Sequence, residues 1–264
     1  MILKKLLKRG EFSVTKEQKC FFQENGFLVF DTGISLKTID SIVDKLSNVW
    51  STCSPPDNLV NRNEQIKWLK DGHYRIQDAW TVFPEIREVA LNKKIISMLK
   101  CLFDSTPKPF QTLNFHQGTE QDVHSDSVHF NSEPFGSMCG VWVALENIGK
   151  YQGPLLYYPG SHQFPEIKNE MFDFTIETSN YPKIIEYWKS LVQDNTLDAK
   201  EAFLNKGQAI IWHGNLLHGG APHIDRELSR NSQVTHYYFD GAKPWRPLFS
   251  KENRKHYFEP AWIV

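Results

Sequence analysis

No stretch of the 264-residue sequence offers the roughly 20 consecutive apolar residues that a membrane-spanning helix needs, so no stable membrane insertion is expected. Cysteine is scarce. Cys20, Cys53, Cys101 and Cys139 are widely scattered with no Cys-x-x-Cys pair, and reduced thiols in a cytoplasmic protein are the simplest account of them. Neither charge is in excess: 30 basic residues stand against 31 acidic ones, for a net charge of -1, and no long charged block follows the first nine residues. That balance excludes the basic face of a nucleic-acid binder. Residues 1–9 mix Leu with Lys and Arg but lack the uninterrupted apolar core of a signal peptide. A frayed helix or disordered lead is expected there, in preference to a membrane-surface helix.

What is present is ample core material. With 40% hydrophobic and 13% aromatic residues, one large core is expected, and a single domain over residues 1–264. Thr15-Lys16-Glu17-Gln18 reads as a capping box and Asn25-Gly26 as the stop of a first helix. Phe27-Leu28-Val29-Phe30 then reads as a short buried strand. A second helix opens at Ser35, with Leu36, Ile39, Val43, Leu46 and Trp50 at helical spacing. Residues 51–72 are polar and include Pro55-Pro56-Asp57-Asn58, which predicts a loop or lid near an active-site mouth. Residues 84–102 carry one or two amphipathic helices. From Phe110 the texture changes to short strands parted by Gly and Pro turns.

The expected fold class is therefore mainly β with flanking helices (α+β): a double-stranded β-helix (jelly roll, cupin-like) barrel buttressed by N-terminal helices. Residues 1–105 supply the helical buttress and lid loop, and residues 106–240 the β-barrel core, with a helical insertion near 166–200. Residues 241–264 form a C-terminal tail that wraps the barrel or a partner chain. A monomer or homodimer fits this plan equally.

The chemistry gathers around Val123-His124-Ser125-Asp126. A His and a carboxylate two positions apart point to the same side of an extended strand or the turn ending it, so His124 and Asp126 can grip one ion. With His218 as the third ligand they make the 2-His-1-carboxylate triad of non-haem Fe(II) oxygenases, which leaves one face of the metal open. Arg230 follows twelve residues after His218 and precedes a strand-like run from Ser232 to Phe239. A guanidinium there can hold the far carboxylate of 2-oxoglutarate through its fork. Arg226 competes for that role, although it lies in the loop Asp225-Arg226-Glu227, where it can be neutralised locally.

With these residues in place the chain resembles the phytanoyl-CoA dioxygenase (PhyH-like) family of Fe(II)/2-oxoglutarate-dependent oxygenases. The resemblance runs over roughly residues 20–240. It passes through Arg75-Ile76-Gln77-Asp78-Ala79-Trp80, Phe110-Gln111-Thr112-Leu113-Asn114-Phe115, His124-Ser125-Asp126, Gly140-Val141-Trp142-Val143-Ala144-Leu145, Gly153-Pro154-Leu155 with Tyr158-Pro159-Gly160-Ser161-His162, and His213 to His218. It implies that His124, Asp126 and His218 are the catalytic iron ligands, that Arg230 meets the 2-oxoglutarate C5 carboxylate, and that Trp142 lies near that cosubstrate. It makes Arg75 and Gln77 candidates for the substrate pocket, His162 structural, and His213 a packing group or one that orients a ligand.

Strand alternation puts Thr112 and Asn114 on one face; if that face is inside, either can hydrogen-bond a carboxylate of the 2-oxoglutarate cosubstrate or the substrate. Ser127 and His129 are placed to reach substrate from the open side of the iron, and Gly219-Gly220 to let backbone approach the cosubstrate. The cofactor set implied is Fe(II), 2-oxoglutarate as cosubstrate and O2. The implied reaction is hydroxylation of an unactivated C–H of a small molecule with release of succinate and CO2. Halogenases of this fold replace the carboxylate ligand with a small residue, and Asp126 is present. A cupin-like metal-dependent isomerase or hydrolase, or a non-catalytic small-molecule-binding barrel, is the alternative.

Overall fold

The computed structural model describes residues 13–251 and 254–264; the basic lead at residues 1–9 lies outside the described residues. Helix α1, Lys16–Asn25, starts at the Thr15 capping box and stops at Gly26 in the left-handed conformation. Strand β1, Phe27–Asp31, follows, but it is an edge strand that alternates between buried and exposed positions, so it is half-buried where full burial was expected. Ser35 caps α2, Leu36–Thr52, whose buried stripe is Ile39, Ile42, Leu46, Val49 and Trp50.

The segment expected to be a loop contains a helix, α3, Arg62–Lys70. Its two fully buried residues, Gln65 and Leu69, are four apart and so share a face; the polar remainder hides this periodicity in the sequence. Strand β2, Arg75–Gln77, then precedes α4, Pro84–Ala90, and α5, Lys93–Phe103, which Asn92 caps.

The strand-rich half runs through β3 (Pro107–Phe115), β4 (Asn131–Glu133), β5 (Met138–Ala144) and β6 (Leu155–Tyr157). After helix α6, Tyr181–Asp194, it continues through β7 (Lys200–Ala202), β8 (Gln208–His213), β9 (His218–Gly220), β10 (Ser232–Phe239) and β11 (Lys243–Trp245). The main sheet has the order β1-β8-β5-β10-β3-β2, antiparallel at every pairing. A three-stranded sheet, β7-β6-β9, and the pair β11-β4 complete the set.

Period-two alternation divides the main sheet into two faces with different jobs. Val141, Val143, Ala209, Ile211 and Tyr237 point outward and pack with Ile39, Leu46, Ile86, Ile95 and Leu99 of the helices. Trp142, Ala144, Ile210, Trp212 and Val234 point the other way and pack with Tyr157, Ala202 and Leu204 of the small sheet. The helices therefore buttress one face, and the space between the two sheets is left for a site.

The α6 insertion forms its own apolar cluster through Ile184, Ile185 and Trp188, against Val128 and Leu217. The tail lies on this chain's own strands: β11 pairs with β4, Phe258 and Trp262 pack with Phe110 and Tyr238, and the Ile263 N–H donates to Pro109 O at 2.9 Å.

Candidate metal centre

Two short pieces of backbone bring the three expected ligands together. His124 and His218 form an isolated antiparallel bridge, with N–H to carbonyl bonds of 2.8 and 2.9 Å, so their rings lie side by side at 4.4 Å between centroids. Asp126 then opens a single 3-10 turn, Asp126–Val128, for which Ser125 Oγ accepts the Ser127 N–H. Ser125 and Ser127 both reach Asn215 Oδ1, which ties this turn to the loop before β9.

The result is His124, Asp126 and His218 buried, with one ligand atom of each within 4.8 Å of the others. Among the described residues no other such group of His, Cys, Asp and Glu occurs.

The hydrogen bonds around the triad decide what it can hold. His124 Nδ1 meets the Asp122 carbonyl at 2.8 Å and His218 Nδ1 meets the Leu216 carbonyl at 2.9 Å. A carbonyl only accepts, so Nδ1 of each ring carries a proton, and a ring with that single proton presents its Nε2 lone pair. Both Nε2 atoms face Asp126 Oδ1 at 3.7 Å, too far for a hydrogen bond. Burial, reinforced by His218, pushes His124 down to about 3, so it stays neutral. Burial alone would raise Asp126, but His218 and His236 beside it hold its carboxyl below the ordinary range. Two lone-pair nitrogens and a carboxylate oxygen converging without a proton between them is a donor set suited to a divalent transition metal.

The second oxygen of Asp126 is held separately. Trp212 Nε1 donates to Oδ2 at 2.8 Å, and His236 Nε2 stands 3.5 Å from it, with His236 Nδ1 on Gln111 Oε1 at 3.0 Å. The Trp212 indole reaches Asp126 by lying across Gly140, where a Cβ would come within 2.1 Å of the ring. Trp212, His236 and Gln111 were not found from the sequence. The only signal for them is strand parity, since Val234 and His236 share a face that Trp142 also lines.

A cavity of about 250 Å³ opens beside the triad, lined by the three ligands together with Trp142, Arg230 and others. Arg230 is 5% exposed, and burial lowers it to about 10, which leaves it a cation near neutrality. It donates to Gln117 O at 2.9 Å and Ser232 Oγ at 3.3 Å, while its Nε–H has no acceptor among the described residues. Trp142 Nε1, on an indole 5.4 Å from that guanidinium, is likewise buried without an acceptor. Two buried orphan donors in one cavity fit an anionic ligand that satisfies both.

Other expected residues sort clearly. Thr112 and Asn114 do not line the cavity: β3 turns Gln111, Leu113 and Phe115 inward, and Thr112 and Asn114 sit buried on the other face beside Thr235 and Gln233. The alternation holds, and the condition on which Thr112 and Asn114 would meet the cosubstrate is not met, because their face is the one turned from the cavity. Arg75, Gln77 and His129 do line it, and His129 Nε2 lies 3.2 Å from the Tyr181 hydroxyl at the start of α6. Ser127 is turned away toward Asn215.

His162 binds the Gln23 carbonyl through Nε2, and His213 packs between Phe103 and His162, away from the triad. Arg226 is exposed and pairs with Glu120 at 2.6 Å, outside this cavity. Gly219 and Gly220 permit close approach of the chain at 120–122, where a Cβ would stand 2.6 Å from backbone atoms. They serve packing of the site's wall.

The sequence model of the phytanoyl-CoA dioxygenase (PhyH) family matches residues 22–230. Phytanoyl-CoA dioxygenase domain-containing protein 1 of Bos taurus is 23% identical over 245 residues, which cover 90% of this chain and 77% of that protein. Among solved structures, the non-heme alpha ketoglutarate dependent carbocyclase SnoK from nogalamycin biosynthesis matches with a TM-score of 0.67 at 15% identity, over 89% of this chain and 87% of that one. EctD from S. alaskensis, crystallised with 2-oxoglutarate and 5-hydroxyectoine, matches with a TM-score of 0.66 at 16% identity, over 95% of this chain and 87% of that one. These likenesses show the fold, the double-stranded β-helix.

Proposed function

The chain belongs to the phytanoyl-CoA dioxygenase (PhyH) family, and from that membership we propose that it is an Fe(II)- and 2-oxoglutarate-dependent oxygenase that hydroxylates an unactivated C–H bond of a small molecule. The observation that carries this reading is the proton-free convergence of His124 Nε2, His218 Nε2 and Asp126 Oδ1 beside a cavity holding two buried donors without acceptors. In it, those three atoms would hold iron, and iron with 2-oxoglutarate and O2 supplies the oxidising chemistry, releasing succinate and CO2.

Each residue then has a task. The Nδ1 protons of His124 and His218, fixed on carbonyls, keep both Nε2 lone pairs aimed inward. Trp212 donates to Asp126 Oδ2, which would leave Oδ1 to bind the metal. Arg230 and Trp142 take a cosubstrate carboxylate with their free Nε–H and Nε1–H groups, and burial strengthens that charge-assisted contact. Phe115, Phe130 and Val234 exclude water from the remaining volume.

Purified protein incubated in air with Fe(II), ascorbate and 2-oxoglutarate tests this. Succinate should form only with iron, rise on adding a metabolite extract, and vanish in Asp126→Ala, while one component of the extract gains a single oxygen atom. Iron bound at the triad with no succinate from any extract would overturn the reading.

A further inference from the structure

Helix α6, the insertion between β6 and β7, is anchored on the turn that carries Asp126. Ile184, Ile185 and Trp188 pack with Val128 and Leu217, and Lys189 Nζ stands 3.4 Å from the Asp122 carboxylate, two residues before His124. The first residue of the helix, Tyr181, faces His129, with its hydroxyl 3.2 Å from Nε2 and the two rings 5.2 Å apart. His129 lines the metal cavity, its ring 6.2 Å from that of His124. Its other nitrogen, Nδ1, has no hydrogen-bond partner among the described residues and is not enclosed by protein atoms, so it opens on the cavity.

The partners decide where the protons lie. Burial raises Tyr181, so its hydroxyl keeps its proton, and His129 is the one hydrogen-bond partner of that hydroxyl among the described residues. Were the single ring proton on Nε2, it would donate to the phenol oxygen and strand the phenol proton. With the hydroxyl donating to Nε2, the ring proton sits on Nδ1 and is directed into the cavity. A second proton on the ring would leave Nδ1 a donor all the same.

This donor stands apart from the cations of the cavity. Arg75 and Arg230 flank Phe115, Arg75 as its partner across the strands and Arg230 with its guanidinium 5.2 Å over the ring. From Arg230 the lining runs along β10 through Val234 to His236, which neighbours Phe130 at 5.7 Å between rings. Arg246 lies behind Phe130, stacked 5.4 Å over it, and does not line the cavity. An ionised substrate group at the His129 end would be buried against a single N–H, which is costly, whereas an uncharged oxygen is matched by it.

Resting on the oxygenase reading above, we propose that the substrate presents a hydroxyl or carbonyl oxygen to His129 Nδ1–H, and that this hydrogen bond sets which carbon faces the metal. Tyr181 is a positioning residue that acts through His129: by donating to Nε2 it keeps the Nδ1 proton in the cavity. The insertion thereby takes part in substrate selection through its first residue.

Nitrogen-15 NMR of histidine-labelled protein, with Zn(II) in place of iron, reads the tautomer. His129 should carry its proton on Nδ1 in the wild type and become a mixture of tautomers in Tyr181→Phe. A wild-type ring protonated on Nε2 alone overturns the proposal.

Succinate and oxygenated product are then followed together, in air with Fe(II), ascorbate, 2-oxoglutarate and a metabolite extract. The component that gains oxygen should already bear a hydroxyl or carbonyl, recognised by acetylation or hydrazone formation. His129→Phe should lower the product formed per succinate by about tenfold or more. His129→Asn, whose amide N–H stands near the place of Nδ1, should retain part of the coupling, and Tyr181→Phe should fall between wild type and His129→Phe. Calorimetric 2-oxoglutarate affinity should stay within about twofold in each variant. A substrate lacking both groups, an unchanged product-to-succinate ratio in His129→Phe, or a loss chiefly in 2-oxoglutarate affinity overturns the proposal. If the wild type forms no succinate at all, the oxygenase reading itself fails and this proposal falls with it.

Discussion

Trp212 reaches Asp126 from 86 positions along the chain, and its indole N–H fixes the carboxylate oxygen that faces away from the two His rings. In Trp212→Phe that oxygen loses its donor inside a buried site. Removing an outer partner of this kind costs about 10–100-fold in metal affinity, and leaving the acceptor short of a hydrogen bond costs about 1–3 kcal/mol of stability. Fe(II) titration under anaerobic conditions and urea unfolding check the two effects, and undiminished iron affinity would remove Trp212 from the site. The contrast with the ligands explains what sequence could show. His124 and Asp126 are legible because they are two residues apart on one piece of backbone. Trp212 and His236 act across a sheet, and no local spacing connects them to Asp126.

At the scale of elements, periodicity shows that a strand has two faces but not which one meets the cavity. The pattern in Phe110 to Phe115 was readable, yet only the pairing of β3 with β10, which sets Leu113 opposite Val234, puts Gln111, Leu113 and Phe115 inside and Thr112 and Asn114 outside. Helix α3 was missed for a different reason: it is anchored by a polar residue. Gln65, 1% exposed, donates to the carbonyls of Val60 and Gln77 and accepts the Gln77 N–H, standing in for a neighbouring strand along β2. Gln65→Ala strands those backbone groups, and a loss of about 2–3 kcal/mol is expected in urea unfolding. Because Arg230 lies on a separate segment, 2-oxoglutarate affinity should stay within about twofold by calorimetry. A large fall in that affinity would show that β2 supports the cosubstrate as well.

Over the whole molecule, the division of labour follows from sheet parity. One face of the main sheet is closed by α1, α2, α4 and α5, and the other is left to the small sheet, the triad and the cavity. The helix-then-strand order was legible from composition and turn residues. The path of the tail over this chain's own Phe110 and Tyr238 depends on contacts that only the folded chain reveals. No helix among the described residues is long and apolar enough to cross a membrane.

The metal centre and Arg230 are read together by one measurement, anaerobic calorimetry of 2-oxoglutarate binding with and without Fe(II), in the wild type, His218→Ala and Arg230→Ala. One cosubstrate should bind per chain in the wild type only when iron is present. Binding should be lost in His218→Ala, and weakened in Arg230→Ala with iron binding intact. Equal 2-oxoglutarate binding without iron, or in His218→Ala, would contradict a cosubstrate held by a metal on His124, Asp126 and His218.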